Sequence, residues 1–269
     1  MKNKVILITG STDGIGRQAA LELAATGARI IVHGRDAVRG GRIVDEIRTA
    51  TGNRNVELVV ADFSTLQQVR QLAGRILDSY ERLDVLVNNA GVFMKRREMT
   101  EDGHEITFAV NHLAPFLLTN LLLDLLRNSS PARIITVASV AHMRGTMDFG
   151  NLQGERAFGG YNAYALSKLA NILFTYELSR RIEGTGVTAN CLHPGVIDTK
   201  LLRTGFSFAG AHPADGASTI VFLATSAAVG KISGKYFENK REVPSSPTSH
   251  NPDFQRKLWE ISEGLTGLS

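Results

Sequence analysis

Short runs of apolar residues, each of strand length, alternate with helix-forming stretches along almost the whole chain. Residues 5–9, 28–32, 56–60, 83–87, 133–137 and 187–192 have this character, and 234–237 forms a short last strand. A strand that is apolar at successive rather than alternate positions is buried on both faces, as in a parallel sheet covered by helices. Helices are predicted between these runs, at 17–25, from Asp36 to about Ala50 with Gly52 closing it, and at 65–80. Further helices fall at 100–127 (one long or two joined), 161–178 and 213–225. Right-handed crossovers turn this alternation into an α/β fold, a doubly wound parallel sheet with helices on both faces. No repeat and no linker rich in Pro, Gly and Ser divides the chain, so residues 1–269 form a single domain.

In such sheets ligands bind beyond the carboxyl ends of the strands, where the strand order reverses. Gly10, Arg35, Asp62, Asn89, Ser139 and Pro194 each follow a strand closely. A random scatter of polar and turn residues would not choose the same edge six times.

Thr9 to Gly16 links the first strand to the first helix as Thr9, Gly10, Ser11, Thr12, Asp13, Gly14, Ile15 and Gly16. Gly14 and Gly16 let backbone approach a pyrophosphate, and the helix start offers free N–H groups and a positive dipole end. The spacing is G-x-x-x-G-x-G rather than the G-x-G-x-x-G of other dinucleotide folds. Arg35 follows the second strand, where an acid would take a ribose 2′-hydroxyl. An arginine suits a 2′-phosphate instead, so NADP(H) is expected over NAD(H). Asp36 has three open roles: helix cap, the leading one, ion pair to Arg35, or acceptor for a ribose hydroxyl. Asp13 places a further negative charge nearby. Asp62 either accepts the adenine amino group, with Phe63 packing beside it, or caps the next helix. Asn88 and Asn89 are turn residues, and Ala90 and Gly91 make a smooth floor for a flat cofactor.

Tyr164 and Lys168 stand four residues apart on a predicted helix, so they share a face. A phenol with an ordinary pKa near 10 exchanges protons poorly at neutral pH, and a fixed ammonium favours its anion. The pair is an acid–base device or, on the plainer reading, a surface tyrosine beside a solvated lysine. Ser139 has no G-x-S-x-G elbow and no evident His partner, which excludes a serine nucleophile. The seven histidines lack metal-ligand spacing, so no metal is expected. His193 reads as structural, and the single Cys191 as a small buried residue of a reducing compartment.

Thirty basic against twenty-six acidic residues give a formal charge of +4, scattered except for Lys95, Arg96 and Arg97. No nucleic-acid partner follows from that pattern, and the trio reads as a solvated loop or a contact for an anionic substrate. The apolar run before Gly10 is too short for a signal peptide, and Thr119, Asn120 and Asp124 interrupt the oiliest segment. A soluble cytoplasmic protein without a membrane anchor is expected.

With these residues assembled, the chain resembles the short-chain dehydrogenase/reductase family over nearly its whole length. The resemblance rests on residues 9–16 (TGxxxGIG), Asp62, 88–91 (NNAG), Asn111, Ser139, Tyr164 with Lys168 (YxxxK), and Pro194-Gly195 with Thr199. The wording HLAPFLLTNLL, NLQGE, SKLANILFTYELSRR and HPGVIDT looks more specifically like the retinol dehydrogenase-like branch, whose members often prefer NADP(H). The chain departs from its relatives in having Ala138 where a Ser commonly precedes the active-site serine, and it is expected to lack the N-terminal anchor many of them carry. The resemblance implies a Rossmann-type sheet of about seven strands in the order 3-2-1-4-5-6-7.

The resemblance also implies roles. Tyr164 would be the general acid/base, and Lys168 would lower its pKa and hold the nicotinamide ribose. Ser139 would fix the substrate oxygen, and Asn111 would anchor a water linking Lys168 to solvent. Hydride would pass between the nicotinamide and the substrate carbon, with Pro194, Gly195, Val196 and Thr199 holding the nicotinamide end. Substrate loops are expected at about 141–160 and 196–212. Phe93, Met94, Met143, Met147, Leu201, Leu202, Phe206 and Phe208 either surround an opening for an apolar carbonyl or alcohol or pack against the domain itself. Family members usually associate through the helices at about 111–127 and 161–183, giving a homodimer or homotetramer. Two other functions stand beside this one: a non-catalytic NADP(H)-binding sensor, and an NAD-dependent alcohol dehydrogenase of the same fold.

Overall fold

The computed structural model describes residues 1–206 and 209–268. Strands β1 (Val5–Ile8), β2 (Arg29–Gly34), β3 (Val56–Val60), β4 (Val85–Asn88), β5 (Ala132–Val137), β6 (Val187–His193) and β7 (Tyr236–Glu238) run parallel in the spatial order 3-2-1-4-5-6-7. The fold is thus the one the sequence predicts, with one addition. β8 (Arg241–Glu242) returns antiparallel to β7 through Asn239 and Lys240, both at positive φ, which is the tight hairpin turn that Asn supports.

The helices are α1 (Gly14–Ala25), α2 (Ala37–Thr51), α3 (Leu66–Ser79), α4 (Ile106–Phe108), α5 (Ala114–Leu121), α6 (Leu123–Asn128), α7 (Gly160–Arg181), α8 (Lys200–Gly205), α9 (Pro213–Thr225) and α10 (Pro252–Thr266). Successive strand residues point to opposite faces, and the two cores follow from that alternation. Leu7, Ile31, Leu86 and Ile134 pack with α3, α5 and α7 on one side. Ile6, Ile8, Ile30, Val32, Val87 and Ile135 pack with α1, α2 and α9 on the other.

Three segments differ from the sequence expectation. The predicted helix at 100–127 starts later, because the Glu105 carboxylate caps it by accepting from the Thr107 and Phe108 amides. It is then interrupted by a π-helical turn at Ala109–Leu113. The loop expected after residue 196 contains α8, capped by Thr199. Finally, α10 was not predicted at all. It covers α5 and α7, with Trp259 edge-on to Phe116 at 4.9 Å and stacked on Phe174 at 5.8 Å. The two helices expected at a subunit interface are therefore overlaid, in part, by the chain's own last helix. Among the described residues no helix is long and apolar enough to cross a membrane.

Candidate active site

The site is built at the reversal of strand order, between the carboxyl ends of β1 and β4. Thr9, at the end of β1, donates its hydroxyl to the Val87 carbonyl and accepts the amides of Asn89 and Ala90 at 2.9 and 3.0 Å. Asn89 returns its side-chain amide to the carbonyls of Thr9 and Gly10 at 2.8 and 3.1 Å. The two loops are locked so closely that a Cβ on Gly16 would lie 2.4 Å from Asn89 Nδ2, and one on Gly10 2.8 Å from Ala90 Cα. Gly10 and Gly14 also hold φ of +62° and +51°, where a side chain is strained.

His33, on which the sequence analysis placed no role, supports this loop from below. Its Nδ1 accepts the Gly10 amide at 3.1 Å, and its Nε2 donates to the Ala61 carbonyl at 3.1 Å. Burial pushes its pKa down to about 4, so the ring is neutral and held in one tautomer. Ser11 joins the same scaffold through the Ile8 carbonyl and the His33 backbone. A histidine closing an apolar strand is visible in the sequence, but its partners lie 23 and 28 residues away. The Gly14 amide is taken by Asp13. Among the described residues, the amides of Ile15 and Gly16 find no partner, which leaves the start of α1 suited to an anion.

Around this turn the charges sort themselves. Asp36 caps α2 by accepting the Arg39 amide at 2.9 Å. Asp13 is paired with Arg39 at 2.7 Å, and Arg39 also donates to the Thr12 carbonyl at 3.2 Å. Arg39 was missed by the sequence reading; it lies one helical turn beyond Arg35. Arg35 itself is exposed at the end of β2 and, among the described residues, makes no ion pair. Asp62 makes a local turn, its Oδ1 accepting from the Ser64 amide and hydroxyl at 2.9 Å each. Phe63, expected beside the adenine, is instead buried in the core with its ring stacked on His33 at 4.3 Å.

Across the crevice, Ser139 leaves β5 and caps a 3-10 turn (Val140–Arg144). Tyr164 and Lys168 come from the second and third turns of α7 and are both buried, so the surface-tyrosine reading does not hold. Burial pushes the Tyr164 phenol up to about 12, while the Ser139 hydroxyl facing it pulls the other way and the nearby Tyr161 adds to the rise. Burial pushes the Lys168 ammonium down to about 8. Lys168 donates to the Val137 carbonyl at 3.0 Å and stands 5.5 Å from the centre of the Tyr164 ring. Burial is thus the largest influence on each of the two groups.

Asn111 sits inside the π-helical turn and is fully buried. Its side chain accepts the Val92 amide at 2.7 Å and donates to the Val92 carbonyl and the Ser167 hydroxyl, each at 3.0 Å. A π-turn inside a helix redirects one side chain, here across to α7. Gly91 completes the floor: a Cβ there would lie 3.4 Å from Asn111 Oδ1 and 3.6 Å from Lys168 Nζ.

After β6, Pro194, Gly195 and Val196 fold back toward the glycine turn. Gly195 has φ of +93°, Val196 accepts the Ala211 amide at 2.8 Å, and the Thr199 methyl would touch a Cβ on Gly14 at 3.0 Å. Of the expected substrate residues, Phe93 and Phe206 lie 5.7 and 6.3 Å from the Tyr164 ring, and Leu201 packs with them. Met143 is exposed at the rim. Met147 and Leu202 are buried, Met147 among Leu166 and Leu169, so these two pack into the domain. Phe208 lies outside the described residues. Among the described residues no His, Cys, Asp or Glu cluster could hold a metal, and Cys191 is buried as a free thiol.

Comparison with known proteins agrees with this fold. Residues 4–208 match the short chain dehydrogenase family. Human retinol dehydrogenase 14 is 42% identical over all of this chain and 88% of its own length. Human retinol dehydrogenase 11 is 41% identical, with 100% and 87% covered. Among solved structures, an uncharacterized protein from Mycobacterium paratuberculosis is 32% identical, with a TM-score of 0.83 over 99% of this chain and 94% of that one. A short chain dehydrogenase from Escherichia coli, complexed with NADPH, is 27% identical, with a TM-score of 0.74 over 90% of this chain and 98% of that one.

Proposed function

The chain belongs to the short chain dehydrogenase family, and from that premise we propose that it is an NADP(H)-dependent oxidoreductase interconverting an apolar alcohol and its aldehyde or ketone. The observation that carries this reading is the burial of Tyr164 and Lys168 side by side, with the Ser139 hydroxyl facing the phenol. A pure nucleotide sensor has no use for that arrangement.

The residues present fit a nicotinamide dinucleotide. The amides of Ile15 and Gly16, without partners among the described residues, lie at a helix start where a pyrophosphate is favoured, and Gly10 and Gly16 let the Asn89–Ala90 loop close against that turn. Arg35 offers an uncommitted guanidinium for a 2′-phosphate, and Ala90 and Gly91 give a flat wall. Once bound, the nicotinamide supplies the hydride exchange.

The chain's own groups handle the proton. With its pKa near 12, Tyr164 is neutral at pH 7 and stands ready to donate to a substrate carbonyl oxygen. Ser139 holds that oxygen by a second hydrogen bond. In the reverse direction the phenol must first lose its proton, and the Lys168 ammonium favours the resulting anion. Phe93, Leu201 and Phe206 surround the Tyr164 ring with apolar surface, which favours lipophilic substrates.

The test is NADPH oxidation with aldehydes and ketones, and NADP reduction with alcohols, each series graded in chain length. Turnover that rises with apolar length, and that vanishes in Tyr164→Phe while NADPH still binds, is expected. Full turnover in that variant, or none in the wild type with either cofactor, would overturn the proposal.

A further inference from the structure

His142 follows Ser139 by three residues and is buried, 1% exposed. Its Nδ1 lies 2.7 Å from the Ser139 carbonyl, and its Nε2 accepts the Ser246 amide at 3.0 Å. A carbonyl only accepts and an amide only donates, so the proton is on Nδ1 and the lone pair on Nε2. The ring is therefore neutral and locked in one tautomer. It packs on Tyr236, 4.9 Å between centres, and burial lowers its pKa in agreement with this state.

Ser246 belongs to a segment far along the chain, and that segment is itself fastened to α7. The Tyr176 hydroxyl meets the Ser245 hydroxyl at 2.7 Å, and Ser245 meets Ser249 at 2.7 Å. Ser249 donates to the Ser246 carbonyl at 2.6 Å, and Gln255 holds the Ser249 carbonyl at 2.6 Å. Tyr176 lies on the same helix as Tyr164. A closed circuit results: from Tyr164 along α7 to Tyr176, across to Ser245 and Ser246, through His142 to Ser139, and back to the phenol.

The geometry points to His142 as a positioning residue, which ties the C-terminal segment to the Ser139 peptide and so sets where the Ser139 hydroxyl stands relative to Tyr164. This rests on the oxidoreductase reading above for its catalytic consequence. The bridge uses the Ser246 backbone: among the described residues the buried Ser246 hydroxyl finds no partner. Nothing in the chemistry of the hydride or proton step requires His142 to touch substrate; its effect passes through Ser139.

The amide can be removed by proline. Ser246 has φ of −59° and ψ of 147°, within proline's range, and Ser246→Pro deletes the N–H while its Cδ takes the hydrogen's place and pushes the His142 ring aside. His142→Asn deletes the acceptor while keeping a donor near the Ser139 carbonyl. Both changes break the same bond, so each should lower kcat roughly tenfold, and the double variant should fall no further than the slower single one. Ser246→Ala, which keeps the N–H, separates the loss of the amide from the loss of the hydroxyl. The NADPH dissociation constant and the melting temperature are measured alongside, and a cofactor affinity within about twofold of wild type is expected while kcat drops.

A second readout needs no turnover. With tyrosine rings isotopically labelled and the Tyr164 signal assigned from Tyr164→Phe, that signal should shift in Ser246→Pro and in His142→Asn but not in Ser246→Ala. Inactive wild-type protein would defeat the oxidoreductase reading and leave this readout to decide the bridge. A Tyr164 signal unmoved in both variants, or kcat losses that simply multiply in the double variant, would overturn the positioning role.

Discussion

Lys168 and Tyr164 are buried together, the ammonium 5.5 Å from the ring centre and hydrogen-bonded to the Val137 carbonyl rather than to an acid. A buried cation without a carboxylate partner is costly, and its pKa near 8 expresses that cost. In the unfolded chain the same amine titrates near 10.5. Below pH 8 both states are protonated and the penalty, about 3 kcal/mol, is fully present. Between pH 8 and 10.5 the unfolded state binds more protons than the folded one, so this group's penalty fades as pH rises. Lys168→Met should therefore stabilise the cofactor-free protein relative to wild type more at pH 7 than at pH 10, by urea unfolding at both. An advantage that stays constant or grows with pH would contradict the buried-ammonium account.

Arg35 and Arg39 stand four residues apart, but among the described residues Arg39 alone is committed, to Asp13 and the Thr12 carbonyl. If Arg35 serves a 2′-phosphate, Arg35→Ala removes hydrogen bonds to a charged group, each about 1.5–3 kcal/mol. NADPH should then bind roughly 10- to 150-fold more weakly, with NADH little changed. Arg39→Ala should weaken both cofactors alike, because it loosens the glycine turn they share. Equal losses for NADPH and NADH in Arg35→Ala would remove the case for NADP(H) preference.

The glycine turn offers a paired test of close approach against chain entropy. Gly16→Ala places a methyl within 2.5 Å of the Gly10 carbonyl and 2.4 Å of Asn89 Nδ2, both held by other bonds. Such overpacking should cost about 1–3 kcal/mol and also displace the amides that await a phosphate. Gly41, inside α2, has no atom within 4 Å of an added Cβ. Gly41→Ala should instead stabilise by about 0.5–1 kcal/mol, by helix propensity alone. Denaturation of the two variants side by side would show opposite signs; the same sign for both would mean the Gly16 contacts relax freely.

What was legible in the sequence follows from range. The two-sided core came from local apolar runs and the strand order from the family resemblance, while Gly10, Gly14, Asn89, Tyr164 and Lys168 came from short motifs within a few residues. The supporting roles of His33 and His142 were not legible, because they lie in partners 23 to 104 residues away. The π-turn at Asn111 depends on how α7 packs across it, and no local pattern announces that. By contrast α10 was legible and overlooked: Asn251 caps it, Pro252 opens it and Gly267 closes it in the left-handed region. Phe254, Leu258, Ile261 and Leu265 also recur at helical spacing.

That last helix is held chiefly by Trp259. The indole is 4% exposed, edge-on to Phe116, stacked on Phe174 and covered by the Arg181 guanidinium at 4.1 Å, with Nε1 donating to Glu263 at 2.7 Å. Trp259→Ala opens a cavity between α10 and the α5–α7 pair and should cost about 3–5 kcal/mol. Trp259→Phe, which keeps aromatic contact but loses the Glu263 bond, should recover more than half of that. Because Phe174 and Arg181 lie on the half of α7 distant from Tyr164, cofactor affinity of the folded protein should stay within about twofold in both variants. Urea unfolding gives the first quantity and fluorescence titration with NADPH the second. A Trp259→Ala loss below about 1 kcal/mol would mean that α10 is only loosely docked, and that α5 and α7 are free to pair with another chain.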